Sequence, residues 1–329
     1  MERKTSYALG IDIGGTNTKI GIIDSCGNIS EFVSFPTQAN GKDPNPFLER
    51  LNNSIQNILL LNPHPLLGIG ISTHGYLDSE FLGPVVCHST PSLKDFNLRG
   101  WAEKLFGLPA IVNNDLVSHS LAEYYYGSGK GSRRFLCMAV GTGFGVGVII
   151  DGKPLRLVGG TTGDAGRLIL DPNGPKCKYQ VNGSAEALIG VANIERLARN
   201  LYNKKVSAYE VIQAAKNNSD KKATLIIKEI GAHLGHALSL LSAIFLPEQV
   251  AITGGIAEAG EVLLQACYEK FFLLMGKYHQ IISTESPQLY QGIKIELGKF
   301  RGESGLLGST IELFLENDSL LLPGNDHAV

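Results

Sequence analysis

Two segments of the chain show the same pattern of apolar strands around a glycine turn. In the first, apolar runs at 8–13 and 19–24 flank the turn 14–18; in the second, 135–140 and 145–150 flank the turn 141–143. Both copies end in Ile-Ile-Asp, followed by a further turn. The pattern predicts two β-hairpins. Because the copies are far apart in the chain and no third follows, we expect a duplicated domain rather than a solenoid.

Two short buried strands are predicted between the hairpins, and polar residues follow each of them. Leu67–Ser72 runs into Thr73-His74-Gly75, and Ala110–Val112 runs into Asn113-Asn114-Asp115. A helix is expected over 116–126, so one interpretation makes Asn114 or Asp115 its N-cap. In the other, the carboxyl end of a strand is where open sheets bind ligands, and an aspartate there suits a general base.

The second half of the chain predicts a long core helix and a shorter helix led by glycines. Residues 223–246 carry apolar positions at helical spacing and stop before Pro247. A strand over 249–253 is followed by Gly254, Gly255 and a helix over 256–268, whose N-terminus suits a nucleotide. His233 and His236 lie three apart, but such a pair without a third ligand is more typical of helix surface than of a metal site.

Glycine is the most over-represented residue in the composition. The chain has 39 glycines in 329 residues, about 12% against ~7% in average proteins. With 14 prolines and no Gly-X-Y period, collagen and disordered linkers are excluded. The length favours two domains. We therefore expect the glycines to mark tight turns and close backbone approaches.

The two glycine turns lack the common nucleotide-binding fingerprints. No GxGxxG lies between a strand and a helix, and residues 127–132 do not have P-loop spacing. Exposed N–H groups and a threonine hydroxyl in each turn are still suited to an anion, and two facing turns could hold a triphosphate. Each turn alone is equally well explained as a tight β-turn. The pair, with Asp12 just before one turn, favours the phosphate interpretation.

Charge and cysteine usage exclude several classes of partner. Lys plus Arg number 29 and Asp plus Glu 31, which gives a net charge of -2 without a basic block, so we expect no nucleic-acid partner. No apolar run approaches the ~18 residues of a membrane span, so no membrane partner is expected either. Five scattered cysteines without a CxxC pair indicate a reducing compartment, and we expect a cytoplasmic protein.

Six short motifs follow one another along nearly the whole chain: Gly10-Ile11-Asp12-Ile13-Gly14-Gly15-Thr16, Gly68-Ile69-Gly70-Ile71-Ser72 with Gly75, Asn114-Asp115, Gly141-Thr142-Gly143, Gly163-Asp164-Ala165-Gly166 and Thr253-Gly254-Gly255. In this order they resemble the sugar kinases of the ROK family (repressor, open reading frame, kinase), within the actin, Hsp70 and hexokinase superfamily. The resemblance implies a two-lobed α/β fold, actin-like and ribonuclease H-like, with a cleft between the lobes. We assign 1–118 and 303–329 to a smaller lobe and 119–302 to a larger one.

The resemblance also implies a glucokinase-like activity: ATP-dependent phosphorylation of a hexose or amino sugar, usually at the C6 hydroxyl. Asp115 matches the catalytic base, and Asp12 matches the residue that holds Mg²⁺ through water. The residues implied to bind the nucleotide are Asp12, Gly14, Gly15, Thr16, Lys19, Gly141, Thr142, Gly143, Gly254 and Gly255. Those implied to bind the sugar are Gly75, Ser92, Asn114, Asp115, Asp164, Arg167 and Glu186. A homodimer is expected, because the family is often dimeric.

The chain departs from the family at its structural zinc site. Many members bind zinc through one His and three Cys, but here Arg167 stands in place of the His, and Tyr179 and Ser184 in place of two of the cysteines. Cys177 alone remains. Because zinc needs four N, S or O ligands and arginine stays protonated, we predict that this chain binds no structural zinc.

The same departure leaves the sugar preference open. The guanidinium of Arg167 could recognise a carboxylate or phosphate on an unusual sugar, or it could pair with Asp164 or Glu186 and replace the zinc mechanically. We favour the structural role. Two further departures are Ser92, which stands where a sugar-binding Asn is common, and His74, which replaces a usual Pro.

Two other function classes fit part of the pattern. One is a non-catalytic sugar sensor, because some relatives are repressors. These repressors carry an N-terminal helix-turn-helix. Here the first hairpin begins almost at Met1, which disfavours DNA binding. An ATPase of the actin or chaperone kind is the other, but Asn114-Asp115 and Glu186 suit a sugar pocket better.

Overall fold

A computed structural model describes residues 5–300 and 302–320, which divide into two compact units. Unit 1 takes residues 5–130, 154–163 and 302–320, and unit 2 takes 131–153 and 164–300. Residues 1–4 and 321–329, which the sequence prediction placed in the smaller lobe, lie outside the described residues.

The bounds of the elements are as follows. The strands are β1 Tyr7–Ile13, β2 Asn17–Asp24, β3 Ile29–Pro36, β4 Leu66–Thr73, β5 Tyr76–Leu77, β6 Pro84–Val86, β7 Ala110–Asn114, β8 Arg134–Val140, β9 Phe144–Ile150, β10 Lys153–Pro154, β11 Gln249–Thr253 and β12 Lys294–Leu297. The helices are α1 Asn45–Leu61, α2 Leu98–Phe106, α3 Asp115–Tyr125, α4 Ala185–Ile189, α5 Val191–Tyr202, α6 Ala208–Lys216, α7 Lys221–Phe245, α8 Glu261–Met275, α9 Tyr278–Glu285, α10 Ser304–Ser309 and α11 Ile311–Glu316. Within the described residues, no helix has the length and apolar composition needed to cross a membrane.

Each unit is built on a five-stranded sheet, and the two sheets have the same strand order. In unit 1 the order is β3-β2-β1-β4-β7, and in unit 2 it is β10-β9-β8-β11-β12. The two strands that come first in the chain, β1 with β2 and β8 with β9, pair antiparallel in each sheet. The next strand pairs in parallel with the first one, β4 with β1 and β11 with β8. The repeated hairpins seen in the sequence are therefore the starting hairpins of two sheets of equal topology, which agrees with a duplicated domain.

The division into units differs from the predicted lobe boundary. Helix α3 runs without a break through the predicted boundary at 118 and packs against α10, so 119–130 belong to unit 1. Residues 154–163 also belong to unit 1. There, Arg156 Nη2 donates to Asn113 Oδ1 at 2.7 Å and to Glu312 Oε2 at 2.6 Å, which fixes this segment beside β7 and α11.

The second predicted helix of unit 2 begins later than its sequence suggested. Residues Gly255–Ala259 form a 3-10 turn instead of an α-helix, and α8 starts only at Glu261. Gly260 separates the two with φ 68° and ψ −139°, a backbone conformation that neither helix type contains.

Helix α10 lies unusually close to the sheet of unit 1 and to α3. A Cβ on Gly70 of β4 would lie 2.1 Å from the Ser309 carbonyl oxygen, and a Cβ on Gly308 would lie 1.7 Å from the Ser118 carbonyl oxygen. These contacts are closer than any side chain allows, so glycine is required at both positions. Gly308 thus allows the close packing of α10 against α3.

The parallel strands of unit 1 bring three chain segments to one edge of its sheet. Ile13 at the end of β1 pairs with Thr73 at the end of β4, and Thr73 pairs with Asn114 at the end of β7. Residues that directly follow these strands therefore start from neighbouring positions. Ligands of open α/β sheets bind at such an edge.

Candidate active site

Asp12, the penultimate residue of β1, presents a buried carboxylate at this edge. Its register partner on β2 is Lys19, whose Nζ lies 3.8 Å from Asp12 Oδ2. Lys19 also donates to the carbonyl oxygen of Gly302. A Cβ on Gly305 would lie 2.5 Å from Asp12 Oδ1, so the glycine at this point of α10 leaves room for the carboxylate.

The charge around Asp12 fits a magnesium ion held mainly by water and phosphate. Burial raises the pKa of the Asp12 carboxyl, and the lowering effects of His119 and Lys19 do not fully offset it. The carboxylate is therefore short of positive charge in the protein alone. Among the residues described, no three His, Cys, Asp or Glu side chains form a metal-binding group. Mg²⁺ is commonly bound by one or two carboxylates together with waters and substrate phosphates, and Asp12 suits that pattern.

The first glycine turn is a closed hairpin with an exposed tip. The Gly14 N–H donates to the Asn17 carbonyl oxygen at 3.1 Å, so it is not available to an anion. Gly15 and Thr16 are exposed at the tip. A Cβ on Gly15 would lie 2.8 Å from Ser89 Cβ, which shows how closely the loop after β6 approaches the turn.

Asp115 is the first residue of α3, and both oxygens of its carboxylate are engaged. Oδ1 accepts the Leu116 N–H at 2.9 Å, and Oδ2 lies 3.2 Å from Nδ1 of His74. Burial raises the pKa of Asp115, but the hydrogen bond and charge of His74 and the charge of His119 together hold it below its usual value. Asp115 is therefore ionised near neutral pH and can accept a proton.

Asn114 and Gly75 support this carboxylate through the backbone. Asn114 is the N-cap of α3: its Oδ1 accepts the Leu116 N–H at 3.0 Å, and its Nδ2 donates to the Gly75 carbonyl oxygen at 2.7 Å. The N-cap interpretation is therefore right for Asn114, whose amide is engaged at both ends. Gly75 has φ +106°, and a Cβ there would lie 1.9 Å from the Val86 carbonyl oxygen, so the loop after β4 needs glycine at this point.

Ser92 carries a buried hydroxyl that lacks an internal partner. It lies in the short 3-10 turn Pro91–Leu93 and is 4% exposed, and its Oγ makes no hydrogen bond to any described residue. Because buried hydroxyls are nearly always bonded, a ligand hydroxyl or a water would satisfy it.

The second glycine turn, in unit 2, is likewise closed and lies against Glu186. The Gly141 N–H donates to the Gly143 carbonyl oxygen at 3.0 Å, and Thr142 is exposed at the tip. A Cβ on Gly143 would lie 2.7 Å from Glu186 Oε2. Gly254 follows β11 with φ +91°, and a Cβ there would lie 2.4 Å from the carbonyl oxygen of Val140, the last residue of β8. The glycines after β8 and β11 are thus neighbours at one edge of this sheet.

Asp164, Arg167 and Glu186 form one ion-paired cluster in unit 2. Arg167 Nε lies 3.0 Å from Asp164 Oδ2, and Arg167 Nη2 lies 3.0 Å from Glu186 Oε2. Of the two alternatives drawn from the sequence, the structure therefore shows the pairing, and with both carboxylates rather than one. The predicted absence of zinc stays a prediction.

Within each unit, the structure brings most of the predicted residues together. In unit 1, Asp12, Lys19, Asn114 and Asp115 start from one sheet edge. The sequence prediction missed three residues beside them, His74, Ser89 and His119. A usable signal existed for two of them: His74 directly follows β4, and His119 lies one helical turn after Asp115 on α3.

Comparison with known proteins decides the family. The family model described as ROK matches residues 8–308. The chain belongs to the ROK family. It is 26% identical over 321 residues to a glucokinase of Halalkalibacterium halodurans, which covers 92% of this chain and 93% of that protein. It is also 25% identical over 323 residues to the xylose repressor of Bacillus spizizenii, covering 96% of this chain and 80% of the repressor.

Solved structures agree with this assignment. A ROK hexokinase from Thermus thermophilus is 27% identical, with a TM-score of 0.79 over 95% of this chain and 99% of the hexokinase. A ROK glucokinase from Streptomyces griseus, solved in complex with glucose and AMPPNP, is 22% identical and shares the fold with a TM-score of 0.76, covering 92% and 98%. The predicted fold class, the actin-like α/β fold of the ROK sugar kinases, is confirmed.

Proposed function

We propose that this protein is an ATP-dependent sugar kinase that phosphorylates a hexose or an amino sugar at its C6 hydroxyl. The observation that carries the proposal is the carboxylate of Asp115. It is ionised at neutral pH, lies at the start of α3 at the ligand-binding edge of a sheet, and is oriented by His74 and Leu116. These are the properties that a general base for a sugar hydroxyl needs.

In this mechanism Asp115 accepts the proton of the attacking hydroxyl as its oxygen bonds to the γ-phosphorus and the bond to ADP breaks. Phosphoryl transfer needs little covalent help from the protein, so positioning of the hydroxyl is the main contribution of Asp115. The exposed turn tips, with Thr16 and Thr142, would bind phosphate oxygens, and Gly254 and Gly255 would approach the adenosine. Mg²⁺ held through Asp12 would neutralise phosphate charge.

In this proposal the sugar is bound by two carboxylates, one serine hydroxyl and one asparagine amide of the protein. Asp164 and Glu186 are carboxylates that accept hydrogen bonds from sugar hydroxyls, and the unpartnered Oγ of Ser92 offers a further group. Asn114 and Gly75 would border the sugar beside Asp115: one N–H of the Asn114 amide donates to the Gly75 carbonyl oxygen, and the second would donate to a sugar hydroxyl. The glucokinase relatives support a hexose, and amino sugars are included because a carboxylate accepts a hydrogen bond from an amine as well as from a hydroxyl.

The test is ADP release with Mg-ATP over a panel of hexoses and amino sugars, with polyphosphate as an alternative donor. We expect turnover with at least one sugar, a 6-phosphate product by NMR, and loss of turnover in Asp115→Asn. A matched control is Asp220→Asn, because Asp220 is also an aspartate at a helix start, the N-cap of α7. No turnover with any sugar, or full turnover in Asp115→Asn, would refute the proposal.

A second candidate, a non-catalytic sugar sensor, is favoured by the similarity to the xylose repressor. It predicts sugar binding by titration calorimetry together with no turnover. Nucleotide hydrolysis that sugar does not stimulate would instead point to an ATPase of the actin or chaperone kind. A homodimer is part of the proposal as well, and light scattering coupled to gel filtration measures it directly.

A further inference from the structure

One guanidinium in unit 2 is engaged at all three of its nitrogen atoms. Arg167 donates through Nε to Asp164 Oδ2 at 3.0 Å, through Nη2 to Glu186 Oε2 at 3.0 Å, and through Nη1 to Cys177 Sγ at 3.2 Å. Its Cζ lies 4.6 Å from the centre of the Tyr179 ring. The side chain therefore contacts four residues that lie before, within and after a single long loop.

These contacts fix the relative positions of two carboxylates. Asp164 precedes the 3-10 turn Ala165–Arg167, whereas Glu186 is the second residue of α4. The intervening loop is closed by isolated bridges from Ile169 to Ser184 and from Lys176 to Asn182. Arg167 donates to both Asp164 and Glu186, the residues on either side of this loop. A guanidinium is planar and rigid, so the two bonds fix the position of one carboxylate relative to the other.

The same bonds leave one oxygen of each carboxylate for another partner. Arg167 binds Asp164 Oδ2 and Glu186 Oε2. Within the described part of the chain, neither Asp164 Oδ1 nor Glu186 Oε1 takes part in a hydrogen bond. Ionised carboxylate oxygens are acceptors only, so each of these atoms suits a hydroxyl or an amine.

The net charge of the cluster is negative despite its arginine. Two carboxylates contribute -2 and the guanidinium +1, and three of the five guanidinium N–H groups donate to partners inside the protein. The hydrogen bonds of Asp164 and Glu186 raise the pKa of Arg167 in spite of its partial burial, so its charge is permanent. From these three side chains a ligand therefore meets two acceptor oxygens and a net charge of -1. The next charge along the loop is Lys178, whose Nζ lies 5.0 Å from the centre of the Tyr179 ring.

We propose that Arg167 is a positioning residue that holds Asp164 and Glu186 as a fixed pair of hydroxyl acceptors, and that the pair selects neutral and amino sugars against sugar acids. This rests on the proposed function, in which these carboxylates contact the sugar. A sugar carboxylate would be repelled by the net negative charge of these three side chains, and three of the five N–H donors of Arg167 are already bonded within the protein. The arginine itself does not touch the reacting hydroxyl.

The first test compares Arg167→Lys and Arg167→Gln with the wild type on the sugar that the panel identifies. Lysine keeps the charge but cannot bind both carboxylates in the same fixed geometry. We expect KM for the sugar to rise about tenfold in Arg167→Lys, the cost of about one charged hydrogen bond, and more in Arg167→Gln. The kcat is expected to change by less than about threefold, because uniform binding is lost rather than transition-state stabilisation.

Arg134 provides the matched control in the same unit. It starts β8 at the end opposite to the glycine turn, binds Glu248 Oε1 at 2.9 Å, and lies 5.8 Å from the centre of the Tyr290 ring. Arg134→Lys and Arg134→Gln remove the same kinds of bond without touching Asp164 or Glu186. They should lower the melting temperature and leave KM for the sugar unchanged.

The outcomes separate this proposal from the proposed function. If the wild type phosphorylates a sugar and the Arg167 variants lose only thermal stability, as the Arg134 variants do, then Arg167 is merely structural and the proposal is overturned. If the wild type phosphorylates no sugar, the proposed function fails first. A rise in KM confined to the Arg167 variants supports the positioning role.

The second test addresses selectivity by titration calorimetry with glucose, glucitol and gluconate. Gluconate carries a carboxylate at C1 and keeps the C6 hydroxyl assigned to Asp115, and glucitol is its neutral open-chain counterpart. We expect gluconate to bind at least about tenfold more weakly than glucitol, the equivalent of one lost charged hydrogen bond. The substitution Asp164→Asn removes one negative charge, so it should narrow this difference. Equal binding of glucitol and gluconate by the wild type, or a difference that Asp164→Asn leaves unchanged, would overturn the selectivity.

Discussion

The Nδ1 atom of His74 lies 3.2 Å from Oδ2 of Asp115, although the two residues are 41 positions apart in the chain. They directly follow Thr73 and Asn114, which are register partners on the parallel strands β4 and β7. Since an ionised carboxylate can only accept, His74 donates the hydrogen bond. The charge of His119 on α3 lowers the pKa of both Asp115 and Asp12, and the charge of Asp115 raises the pKa of Asp12.

We predict that His74→Phe shifts the acidic limb of the kcat/KM profile to higher pH. The hydrogen bond and charge of His74 lower the pKa of Asp115, so their loss raises that pKa, and the base becomes protonated at a higher pH than in the wild type. Initial rates over a pH series measure the shift. His64→Gln is the control, since His64 stacks on Tyr7 at 4.0 Å, and it should leave the profile unchanged. An unmoved acidic limb in His74→Phe would contradict the prediction.

We predict that the stabilising contribution of Asp78 disappears in acid. Its carboxylate accepts the backbone N–H groups of Glu80 at 2.8 Å, Leu82 at 3.1 Å and Gly83 at 2.9 Å. Burial raises the pKa of Asp78, but these bonds outweigh it and hold the pKa below the usual range of an aspartate. A depressed carboxyl pKa stabilises the fold above the unfolded-state pKa, and this contribution is lost as the pH falls through the folded-state pKa.

Chemical denaturation of Asp78→Ala and the wild type at several pH values tests this directly. At pH 7 the variant should unfold with about 1–3 kcal/mol less free energy, and the difference should shrink towards strongly acidic pH. Glu80→Ala, an exposed carboxylate in the same loop, is the control and should show no such convergence. A difference that does not depend on pH would show that the charge of Asp78 is irrelevant.

We predict that Gly308→Ala destabilises unit 1, whereas Gly302→Ala does not. A methyl group on Gly308 would meet the Ser118 carbonyl oxygen at 1.7 Å and force α10 away from α3, while the nearest atom to a methyl group on Gly302 would be Lys19 Nζ at 3.7 Å. Overpacking of this kind costs about 1–3 kcal/mol or more. Thermal unfolding of the two variants in parallel measures it, and equal melting temperatures would disprove the close packing.

We predict that Gly143→Ala raises the KM for the sugar, whereas Gly141→Ala leaves this KM unchanged. The methyl group at 143 would lie 2.7 Å from Glu186 Oε2 and would turn that carboxylate away from Arg167, but no atom lies within 4 Å of a methyl group at 141. Loss of one charged hydrogen bond corresponds to about a tenfold rise in KM. Steady-state kinetics of both variants decide the point. Equal KM values would mean that Glu186 is not held in place.

We predict that the purified protein contains no zinc and requires magnesium. Elemental analysis should find less than a stoichiometric amount of zinc, because Arg167 cannot ligate the metal. Chelation should abolish turnover without lowering the melting temperature, and added Mg²⁺ should restore the turnover. One zinc atom per chain, or unfolding on chelation, would overturn the zinc prediction.

The parts of the fold that the sequence predicted are those with local signals. The apolar runs of β1 and β8, the turns after them, and the long helix α7 could be read from hydrophobic spacing and glycine positions. Strand β3 was missed, because it is an edge strand whose residues are mostly exposed and carry no continuous apolar run. The position of β3 in the sheet depends on its antiparallel pairing with β2, which its own sequence does not indicate.

The candidate site also contains residues that a local sequence pattern predicts and contacts that only the fold determines. The carboxylate of Asp115 could be predicted, because a polar residue between a strand and a helix is a local pattern. Its contact with His74 depends on the register of β4 against β7, which no local pattern contains. For Arg167 the sequence favoured a structural role with Asp164 or Glu186 as its partner. That both carboxylates reach the same guanidinium depends on the closed loop between them, which no local pattern contains.

The contact of α10 with the sheet has a consequence for any attempt to locate the active site by mutation. Gly70 and Gly308 accept no side chain, because a backbone oxygen already occupies the space. A saturation scan would therefore score these two positions as being as intolerant as Asp115, although neither carries a group that can react. Abundance and activity would have to be measured separately for each variant, since only a loss of activity at normal abundance distinguishes a chemical role from a packing requirement.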